Sequence, residues 1–426
     1  MQSYFDTTDT IMNASLSVFV FCLALFPLIW ATFGDKYGRR PMYIISFLIA
    51  IIGMVCCAVS VNVTMFIVFR AVSAVGASSM LSLGAGTIGD ITNASERGRA
   101  FSIYQMGPLA GPALGPIFGG YLNEGLGWQS IFWFLTILCF AVWVAIILFL
   151  PETRYDIAVK KDLSSSSDSC SEKTTSEQQS KSNNNHRRHR FMNPIAALNF
   201  MQYPNIALAV LFLGILFFVY YLLNSNFTRI YNNQYGFDSG TVGLFYLPLA
   251  GGFIIGSLVG GRYSDRLYMR RAAKLKEINK SPYPELRIGG FLLYACMVVL
   301  LLAYIAFGWC VEKDVHYAFG LVCAGIIGLC LGPPNTILPA YIIDCFRENG
   351  ASVIACNNFV RYILAGIGTL VSSDMAYSMG SGPLYTFCGA LLFVSSALFI
   401  TVKLRGETWR QRHNQQKALK KQQEVS

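Results

Sequence analysis

The sequence contains few charged residues. Asp, Glu, Lys and Arg together make up 13% of its 426 residues, whereas 54% of the residues are hydrophobic. Soluble globular domains carry about 25% charged residues. The shortage of charge therefore excludes an ordinary soluble domain and indicates a chain that lies largely in lipid.

The residues that build metal centres, disulfide frameworks and catalytic sites are scarce or poorly placed. The 12 cysteines include no CxxC pair and lie mostly in apolar stretches or predicted cytosolic loops, so we interpret them as small apolar residues. The four histidines fall in predicted loops, tails or helix ends, away from any nucleophile: His186, His189, His316 and His413. The sequence predicts no enzyme activity, no metal site and no cofactor.

The chain does contain long apolar stretches, each reaching the roughly 20 residues that cross a bilayer as a helix. They lie at 13–33, 42–60, 64–88, 100–122, 129–150, 205–226, 241–261, 288–309, 316–338, 351–372 and 383–402. These stretches predict an all-α membrane protein with eleven visible transmembrane helices. Their many Gly and Pro residues agree with this, because neighbouring helices can satisfy the freed backbone groups in a membrane.

Positive charge is distributed unevenly among the segments that join these stretches. If segment 34–41 is cytosolic and the sides alternate, every Lys and Arg is cytosolic except Arg70, Arg229, Lys313 and Arg361. This distribution follows the positive-inside rule, so the net charge of +10 orients the chain and requires no nucleic-acid partner. It places the C-terminus in the cytosol and the N-terminus outside. We interpret the odd helix number as one helix missing upstream; the alternative is a genuine eleven-helix protein that begins outside.

The stretches divide the chain into four parts. We expect a five-helix N-terminal bundle at 1–150, a central loop at 151–204, a six-helix C-terminal bundle at 205–404 and a basic cytosolic tail at 405–426. The Ser- and Asn-rich composition of 155–190 predicts a disordered cytosolic linker. Its HRRHR end favours contact with anionic lipid over a metal or nuclear-import motif, because it adjoins the membrane.

Two charged motifs occupy matching places in the two bundles. GDKYGRRP (34–41) joins the first two visible helices, and SDRLYMRR (264–271) follows the seventh. The repeat pairs Asp35 with Asp265, Lys36 with Arg266, Arg40 with Arg270, and Asp90 with Asp344. Such internal repeats are the signature of secondary transporters.

The first of these motifs is predicted to be a loop that binds neighbouring helix ends. Its carboxylate Asp35 can approach the N-terminus of the following helix, where negative charge is favoured. Its basic residues can pair with acids at other helix ends, for which Asp90 and Glu96 are candidates. The residues expected to act in gating or proton coupling are Asp35, Lys36, Gly38, Arg39, Arg40 and Asp90. The alternative is that these charges only set the topology.

Residues 107–122, GPLAGPALGPIFGGYL, place glycines and prolines at four-residue intervals. Small residues at this spacing share one helix face and let two backbones approach closely in lipid. We expect this face to pack, between the bundles, on a similar face of the helix at 241–261, with the prolines bending the first helix. The alternative is an ordinary close-packed pair without a gating role. The two faces comprise Gly107, Gly111, Pro112, Gly115, Pro116, Gly119 and Gly120 in the first helix and Gly252, Gly256 and Gly260 in the second.

Two arginines, Arg70 and Arg361, lie inside predicted spans. An arginine there costs at least about 2.5–3.5 kcal/mol, so both are functional candidates; the alternatives are bonding to backbone carbonyls or snorkelling to the membrane surface. The visible spans have no Asp or Glu near their centres. A proton-carrying acid must then come from the upstream helix, or from Asp35 and Asp90 acting with Arg70. The further cavity candidates are Asn13, Tyr104, Gln105, Tyr220, Tyr221, Asn224, Tyr246, Asn335, Asn357 and Asn358.

These motifs together resemble those of the major facilitator superfamily. ATFGDKYGRRP resembles its loop signature GxxxDRxGRR, with Ala31 and Lys36 as departures, and RAVSAVGAS resembles RxxQxxG, with Ser73 in place of Gln. GPLAGPALGPIFGG resembles the antiporter motif of the fifth helix. GTIGDITNASERGRA, NNFVRYILAGIGT and the long polar central loop make the chain most similar to fungal twelve-helix drug:proton antiporters of the quinidine-resistance and dityrosine-transporter type.

This resemblance implies a fold of two helical bundles that works by alternating access. It implies export of small organic molecules or cations, such as drugs, polyamines, weak acids or dityrosine-like compounds, in exchange for protons. Arg70 is then expected to take part in proton transfer and Asp35 in the inward/outward switch. The expected partners are the substrate, protons and membrane lipid, and we expect a monomer in the plasma membrane or a spore membrane. The alternatives are proton-coupled uptake and a non-transporting receptor, scaffold or truncated isoform.

Overall fold

A computed structural model describes residues 2–91, 97–153, 198, 200–278, 283–288, 290–345 and 350–425. The predicted linker 155–190 with its HRRHR end, and Glu96, lie outside the described residues. So do several side chains within helices, among them those of Asp35, Asp90, Gln105 and Pro112. The helices of the N-terminal half are α1 (Gln2–Phe5), α2 (Asp9–Tyr37), α3 (Arg39–Ala58), α4 (Val63–Ala77), α5 (Ser79–Ile91), α6 (Arg97–Leu126) and α7 (Trp128–Phe149).

The C-terminal half is formed by six long helices. They are α8 (Pro204–Arg229), α9 (Ser239–Glu277), α10 (Phe291–Glu312), α11 (Tyr317–Cys345), α12 (Gly350–Met379) and α13 (Ser381–Val425). A π-helical turn, Ile230–Gln234, follows α8, and a 3₁₀ turn, Pro284–Arg287, precedes α10. The last helix continues through the predicted tail 405–426 as far as Val425.

The prediction of an all-α membrane protein is confirmed. Within the described residues, 10 helical segments are long and apolar enough to cross a membrane. One of them, Val63–Ile88, contains all of α4, Ser78 and most of α5. The predicted span 100–122 lies within α6, a helix of 30 residues.

The helices pack as two halves that meet along two pairs. Within the N-terminal half, α3 packs on α4 and α7, and α2 packs on α4 and α5. Within the C-terminal half, α9 packs on α11, α8 on α12 and α13, and α10 on α11 and α13. The contacts between the halves run mainly through α2 with α12 and through α6 with α9, with a smaller contact between α5 and α12. The largest hydrophobic core lies inside the C-terminal half, whereas a smaller cluster joins α2 and α12 through Val20, Ala24, Tyr362 and Ala365.

The two charged motifs are more helical than the sequence suggested. In GDKYGRRP only Gly38 lies outside a helix, because α2 ends at Tyr37 and α3 begins at Arg39. The backbone turns there at a φ of +99°, a conformation that glycine adopts without a steric cost. In the C-terminal half, SDRLYMRR is not a loop, since α9 continues past it to Glu277.

The molecule has two ends that carry charged clusters. The Arg39 end carries Gly38, Glu152 and Arg287, and the Arg229 end carries Asp9, Arg229 and Asp374. Helices α2 and α9 run from the Arg229 end to the Arg39 end, and α6, α8 and α12 run in the opposite direction.

Candidate functional site

At the Arg39 end, a carboxylate does approach the N-terminus of α3, but it belongs to Glu152 and not to Asp35. The Glu152 side chain accepts hydrogen bonds from the backbone N–H groups of Arg39 and Arg40, at 2.9 and 3.3 Å. It also lies against Gly38, where a side chain would collide with it. A carboxylate at this position satisfies free N–H groups and complements the positive end of the helix dipole. No local pattern indicates this contact, because Glu152 lies more than a hundred residues further along the chain.

The basic residues of this motif have separate surroundings. The buried guanidinium of Arg39 lies between α2 and α5, at places where Gly34 and Gly86 leave room for it. Arg40 donates to the Ile147 carbonyl of α7 at 2.8 Å. The Lys36 ammonium lies 5.1 Å from the ring centre of Tyr37. Because the side chains of Asp35 and Asp90 and all of Glu96 lie outside the description, the predicted pairing with Asp90 or Glu96 stays a prediction.

The matching place in the C-terminal half holds an ion-pair cluster around Arg287. Its Nη1 donates to Asp265 at 2.7 Å, and its Nε donates to Asp344 at 2.5 Å. Its guanidinium also lies 4.9 Å from the ring centre of Tyr268. Burial disfavours the charge of Arg287, but the carboxylates of Asp344 and Asp265 outweigh it, so the pKa of Arg287 is raised. The cluster ties α9, the 3₁₀ turn and α11 together.

The repeat matched Asp265 with Asp35 and Asp344 with Asp90, but it did not indicate that Asp265 and Asp344 both bind one arginine. Arg266 and Arg270, which the repeat pairs with Lys36 and Arg40, point to the exposed surface of α9. Arg287 belongs to a short segment between two apolar stretches. An arginine there counts toward the positive-inside rule, but its position in the sequence does not predict an ion pair.

The predicted contact between the two glycine faces is wrong. The face formed by Gly252, Gly256 and Gly260 packs inside the C-terminal half, on Gly325, Leu329 and Pro333 of α11. Gly328 and Gly332 of α11 approach α9 as closely from the other side. In α6, a Cβ atom built on Gly107, Gly111 or Gly115 meets no described atom within 4 Å. Two backbones do approach closely at a glycine face, as small residues allow, but both belong to one half.

The helix pair itself was predicted correctly, because α6 and α9 do meet between the halves. Their close approach lies near the Arg229 end, where Gly120 faces Ser239 and Gly243 faces the Pro116 carbonyl. Glu124 of α6 accepts a hydrogen bond from the Gly240 N–H of α9 at 3.1 Å. Beside it, Asn123 donates to the Ser239 hydroxyl at 3.1 Å.

A polar cluster at the Arg229 end joins α2 to α8 and α12. We call it the latch, and its members are Asp9, Thr10, Asn13, Ser225, Asn226, Arg229, Ser372, Ser373, Asp374 and Tyr377. At its centre, the Arg229 guanidinium donates to Asp9 at 3.1 Å and to Ser373 at 2.9 Å. Arg229 also donates to the Asn226 amide oxygen, and the Tyr377 hydroxyl donates to Asp9. One arginine of the C-terminal half is thus held by a carboxylate of the N-terminal half.

Further hydrogen bonds surround this ion pair. Thr10 donates to Asp374 at 2.7 Å, and the Asn13 amide donates to Ser372 and Ser373 at 2.9 and 2.5 Å. Ser225 donates to the Asn13 amide oxygen at 3.0 Å. The only sequence signal for the latch was the presence of polar residues, such as Asn13 and the SSD triplet 372–374, near the ends of apolar stretches.

Several of the predicted cavity residues form a hydrogen-bonded group in the C-terminal half. Tyr246 donates to the Asn224 carbonyl at 3.1 Å and shares a 3.0 Å hydrogen bond with Thr228. Asn224 in turn donates to the Tyr220 hydroxyl at 3.4 Å. Tyr246 is buried against Phe227, so it belongs to the core of this half, whereas Tyr220 is half-buried.

The other cavity candidates are dispersed over both halves. Tyr104 of α6 donates to the Met80 carbonyl at 2.7 Å, and Asn335 donates to the Leu331 carbonyl of its own helix at 3.1 Å. Asn357 is buried, and its amide oxygen has no hydrogen-bond partner among the described residues. Asn358 is half-buried in the same turn of α12, and the Gln105 side chain lies outside the description. Their common role as a cavity lining stays a prediction.

Arg70 and Arg361 are surrounded by aromatic rings. The Arg70 guanidinium lies 5.2, 5.9 and 5.5 Å from the ring centres of Phe19, Phe66 and Phe132. The Arg361 guanidinium lies 4.1 and 5.3 Å from those of Phe217 and Tyr362. In both side chains Nε is buried without a hydrogen-bond partner among the described residues. Ring faces stabilise a desolvated cation, which explains how each charge is tolerated in a span.

Comparison of sequences extends the resemblance to the whole chain. The pattern of the Major Facilitator Superfamily matches residues 1–369. The MFS antiporter QDR3 of Candida albicans is 26% identical over 96% of this chain and 74% of its own length. The Multidrug transporter DTR1 of Candida glabrata is 30% identical over 93% of this chain and 77% of its own length.

Comparison of structures agrees with the two-half arrangement. A bacterial homolog of the human lysosomal transporter Spinster, solved in an inward-facing and unoccupied conformation, superposes with a TM-score of 0.69. The match covers 95% of this chain and 91% of that one, at 16% identity. At this identity the similarity concerns the fold alone.

Proposed function

This chain belongs to the Major Facilitator Superfamily, so it is an integral membrane transporter and not an enzyme, and we propose that it exports small organic molecules in exchange for protons. The observation that carries the proposal is the latch. At the latch, the described residues join the two halves by single hydrogen bonds and one ion pair, whereas the largest apolar core lies within one half. Such contacts can break and re-form without unfolding either half, as alternating access requires.

The direction of transport follows from charge and from the relatives. We place the Arg39 end in the cytosol, because the predicted cytosolic segments carry nearly all Lys and Arg residues. The latch then closes the outer side, and the plasma membrane is the proposed location. Similar proteins include an antiporter and a multidrug transporter, and we propose the direction of export by analogy with them.

Proton coupling is proposed through Arg70. Its guanidinium lies inside a span among three rings, and no ion pair to it occurs within the described residues. A charge held in this way is sensitive to any nearby carboxylate that gains or loses a proton, because Coulomb interactions are strong at low dielectric constant. Asp35 and Asp90 remain the proposed acids; because Asp35 lies about 24 Å along α2 from Phe19, we propose that it affects Arg70 through a rearrangement of the helices and not by direct contact.

The proposal is tested in proteoliposomes that contain the purified full chain. A panel of labelled aromatic and charged compounds is presented with and without a pH gradient, and the movement of each compound is measured. We expect transport that requires the gradient, stops with a proton uncoupler and is lost in Arg70→Ala. Arg262→Ala, which removes an exposed arginine from α9, serves as the matched control and keeps transport.

Other outcomes identify the alternatives. Movement of a compound in the same direction as the protons, instead of the opposite direction, would indicate proton-coupled uptake and not export. Correctly folded protein that moves no compound under any gradient would favour a receptor or scaffold and would overturn the transport proposal for this chain.

A further inference from the structure

A small pocket lies at the Arg229 end, beside the latch. Its volume is about 210 Å³. Pockets for drug-sized ligands measure about 300–1,000 Å³, so this one is suited to a smaller molecule. Three of the side chains that line it are exposed, so the pocket opens to the surface. Its walls come from α8, the π-helical turn, α12 and α13, and its polar lining includes Arg229, Asn233, Gln234, Tyr377, Ser381 and Tyr385.

The pocket is not a site between the two halves. All of its lining residues belong to the C-terminal half, so no described residue of the N-terminal half contributes to it. It nevertheless shares Asn226, Arg229 and Tyr377 with the latch. Two of these, Arg229 and Tyr377, donate hydrogen bonds to Asp9 across the halves. A molecule in the pocket would therefore contact residues that close the latch without touching the opposite half.

The most buried polar group of the pocket is the hydroxyl of Tyr385. This residue is 0% exposed, and its hydroxyl has no hydrogen-bond partner among the described residues. Asn226 lies near it, but the Asn226 amide nitrogen donates to the Ser372 carbonyl and its oxygen accepts from Arg229. A buried hydroxyl without a partner is costly, so Tyr385 offers a group that a bound molecule would satisfy.

Further uncharged groups of the pocket are available to a ligand. Ser381 lies one turn before Tyr385 on the same face of α13, and its hydroxyl makes no hydrogen bond to a described residue. The Asn233 amide, in the π-helical turn, is likewise available within the described part of the chain. Gln234 of the same turn donates to the Val311 carbonyl at 2.7 Å, which leaves its amide oxygen. Turns of π-helix are rare and occur frequently at functional sites.

The charges around the pocket favour a neutral ligand. Arg229 is already paired within the latch, and its positive charge opposes a cation. Two carboxylates adjoin the lining and oppose an anion: Glu312 accepts from the Ser381 N–H at 2.8 Å, and Asp314 accepts from the Gln234 amide. The available groups are hydroxyls and amides, which both donate and accept hydrogen bonds. A neutral molecule with several hydroxyl groups matches them.

We propose that this pocket binds a small neutral polyol from the outer side, and that the bound polyol keeps the latch closed. The molecule would join Tyr385 and Ser381 of α13 to Asn233, and it would pack against Arg229 and Tyr377 as they stand when they bind Asp9. A ligand favours the state in which its contacts are complete, so the polyol is a regulator that slows transport. The binding stands alone, whereas the effect on transport rests on the proposed function.

The first test is a binding measurement that requires neither transport nor a proton gradient. Purified full chain in a detergent without a sugar headgroup is titrated with three probes that share one rigid ring: myo-inositol, myo-inositol 1-phosphate and scyllo-inosamine. Binding is followed by saturation-transfer NMR, which detects weak ligands. We expect neutral myo-inositol to bind at least about threefold more tightly than the anionic and the cationic probe, because each of these meets a like charge at the pocket.

Variants that lack one hydroxyl assign the binding to this pocket. Tyr385→Phe is expected to weaken myo-inositol binding about threefold to tenfold, the usual effect of one lost hydrogen bond. Tyr304→Phe is the matched control, because the Tyr304 hydroxyl is as buried and also lacks a partner among the described residues, but it does not line the pocket. Ser381→Ala provides a second pocket variant if Tyr385→Phe does not fold, and melting temperatures are measured in parallel.

The second test adds myo-inositol to the latch side of proteoliposomes during transport. We expect the maximal rate to fall in the parent protein and in Tyr304→Phe, and to fall less in Tyr385→Phe, while labelled myo-inositol itself does not cross. Tighter binding of a charged probe, or unchanged binding in both folded pocket variants, would overturn the site. Transport of labelled myo-inositol, or binding that leaves transport unchanged, would overturn the regulatory role. Pocket-dependent binding by a chain that transports nothing would refute the proposed function while the site stands.

Discussion

Two helices of this molecule carry glycines at four-residue intervals, and their surroundings are opposite. In α9, the face of Gly252, Gly256 and Gly260 touches the backbone of α11. In α6, Gly107 and Gly111 meet no described atom within 4 Å. The same spacing therefore forms part of a packed core in one half, whereas in the other half no described residue covers it. The pattern predicts a smooth helix face, but it does not predict which helix covers that face.

A substitution in the glycine face of α6 is expected to have the largest effect, which is a loss of transport. Gly111→Leu adds a branched side chain to a face of α6 that no described residue covers. We expect transport in proteoliposomes to fall to background while the melting temperature hardly changes, because the other state must cover this face. Gly125→Leu, at another glycine of α6 with open space around it, is the control. Full transport by Gly111→Leu would show that the face stays open throughout the cycle.

The packed face gives the next largest effect, which is on stability. A Cβ atom at Gly256 would collide with the Leu329 carbonyl, which belongs to the backbone and cannot move aside cheaply. We expect Gly256→Ala to lower the free energy of unfolding by about 1–3 kcal/mol, a typical cost of overpacking. The matched change Gly111→Ala is expected to stay within about 0.5 kcal/mol. Equal melting temperatures for the two variants would contradict the comparison.

The halves also differ in which residues accept hydrogen bonds from the free backbone N–H groups in the first turn of a helix. In the N-terminal half, α3 is capped by the remote Glu152, whose charge reaches two backbone N–H groups. We expect Glu152→Gln to lower the free energy of unfolding by about 1 kcal/mol, because the charge-assisted hydrogen bonds become neutral ones. Glu277→Gln at the exposed end of α9 is the control, and thermal melts in detergent compare the two. If Glu152→Gln lowers the free energy of unfolding no more than Glu277→Gln does, Glu152 does not cap α3.

In the C-terminal half, α9 is capped by the adjacent Asp238 in addition to the remote Glu124, and loss of the Asp238 cap gives the smallest effect. The Thr241 hydroxyl and then the backbone N–H groups lower the pKa of Asp238 from its ordinary value of 3.8. Because the folded pKa is depressed, the stabilisation is complete above pH 3.8 and is lost as the pH falls through the lower folded value.

Melting curves between pH 7 and pH 2.5 test this expectation. Asp238→Ala is expected to lower the melting temperature at pH 7 and to approach the parent protein at the acid end. Asp238→Ser keeps a capping oxygen that does not titrate, so it is expected to remain close to the parent at pH 7 and to lack this pH dependence. A constant difference between Asp238→Ala and the parent at all pH values would rule out the ionised cap.

The features that hydropathy and charge determine could be predicted from the sequence. The apolar stretches predicted the helices, because a bilayer requires a nearly fixed length of apolar chain. The repeat and the charge distribution placed Asp265 and Asp344 on the cytosolic side of the C-terminal half. In the structure both bind Arg287. These features depend on residues that are close together in the chain, or on the mean hydropathy of about 20 consecutive residues.

The features that depend on tertiary contacts could not be predicted. Glu152 caps a helix that begins more than a hundred residues earlier, and nothing local to either segment records this. The latch joins Asp9 to Arg229 and Tyr377, which are polar residues at span ends that hydropathy treats as boundaries. Arg361 was found as an arginine in a span, but its ring neighbours appear only when α8 and α12 are packed together.

The central claim is that the latch at the Arg229 end must open for the protein to work. Thr10 and Asp374 face each other across the halves at 2.7 Å, so Thr10→Cys combined with Asp374→Cys places two thiols on opposite sides of the latch. Transport in proteoliposomes is measured after oxidation and again after reduction, with each single variant as control. We expect that oxidation stops transport only in the double variant and that reduction restores it. Undiminished transport by the cross-linked protein would show that the latch need not open.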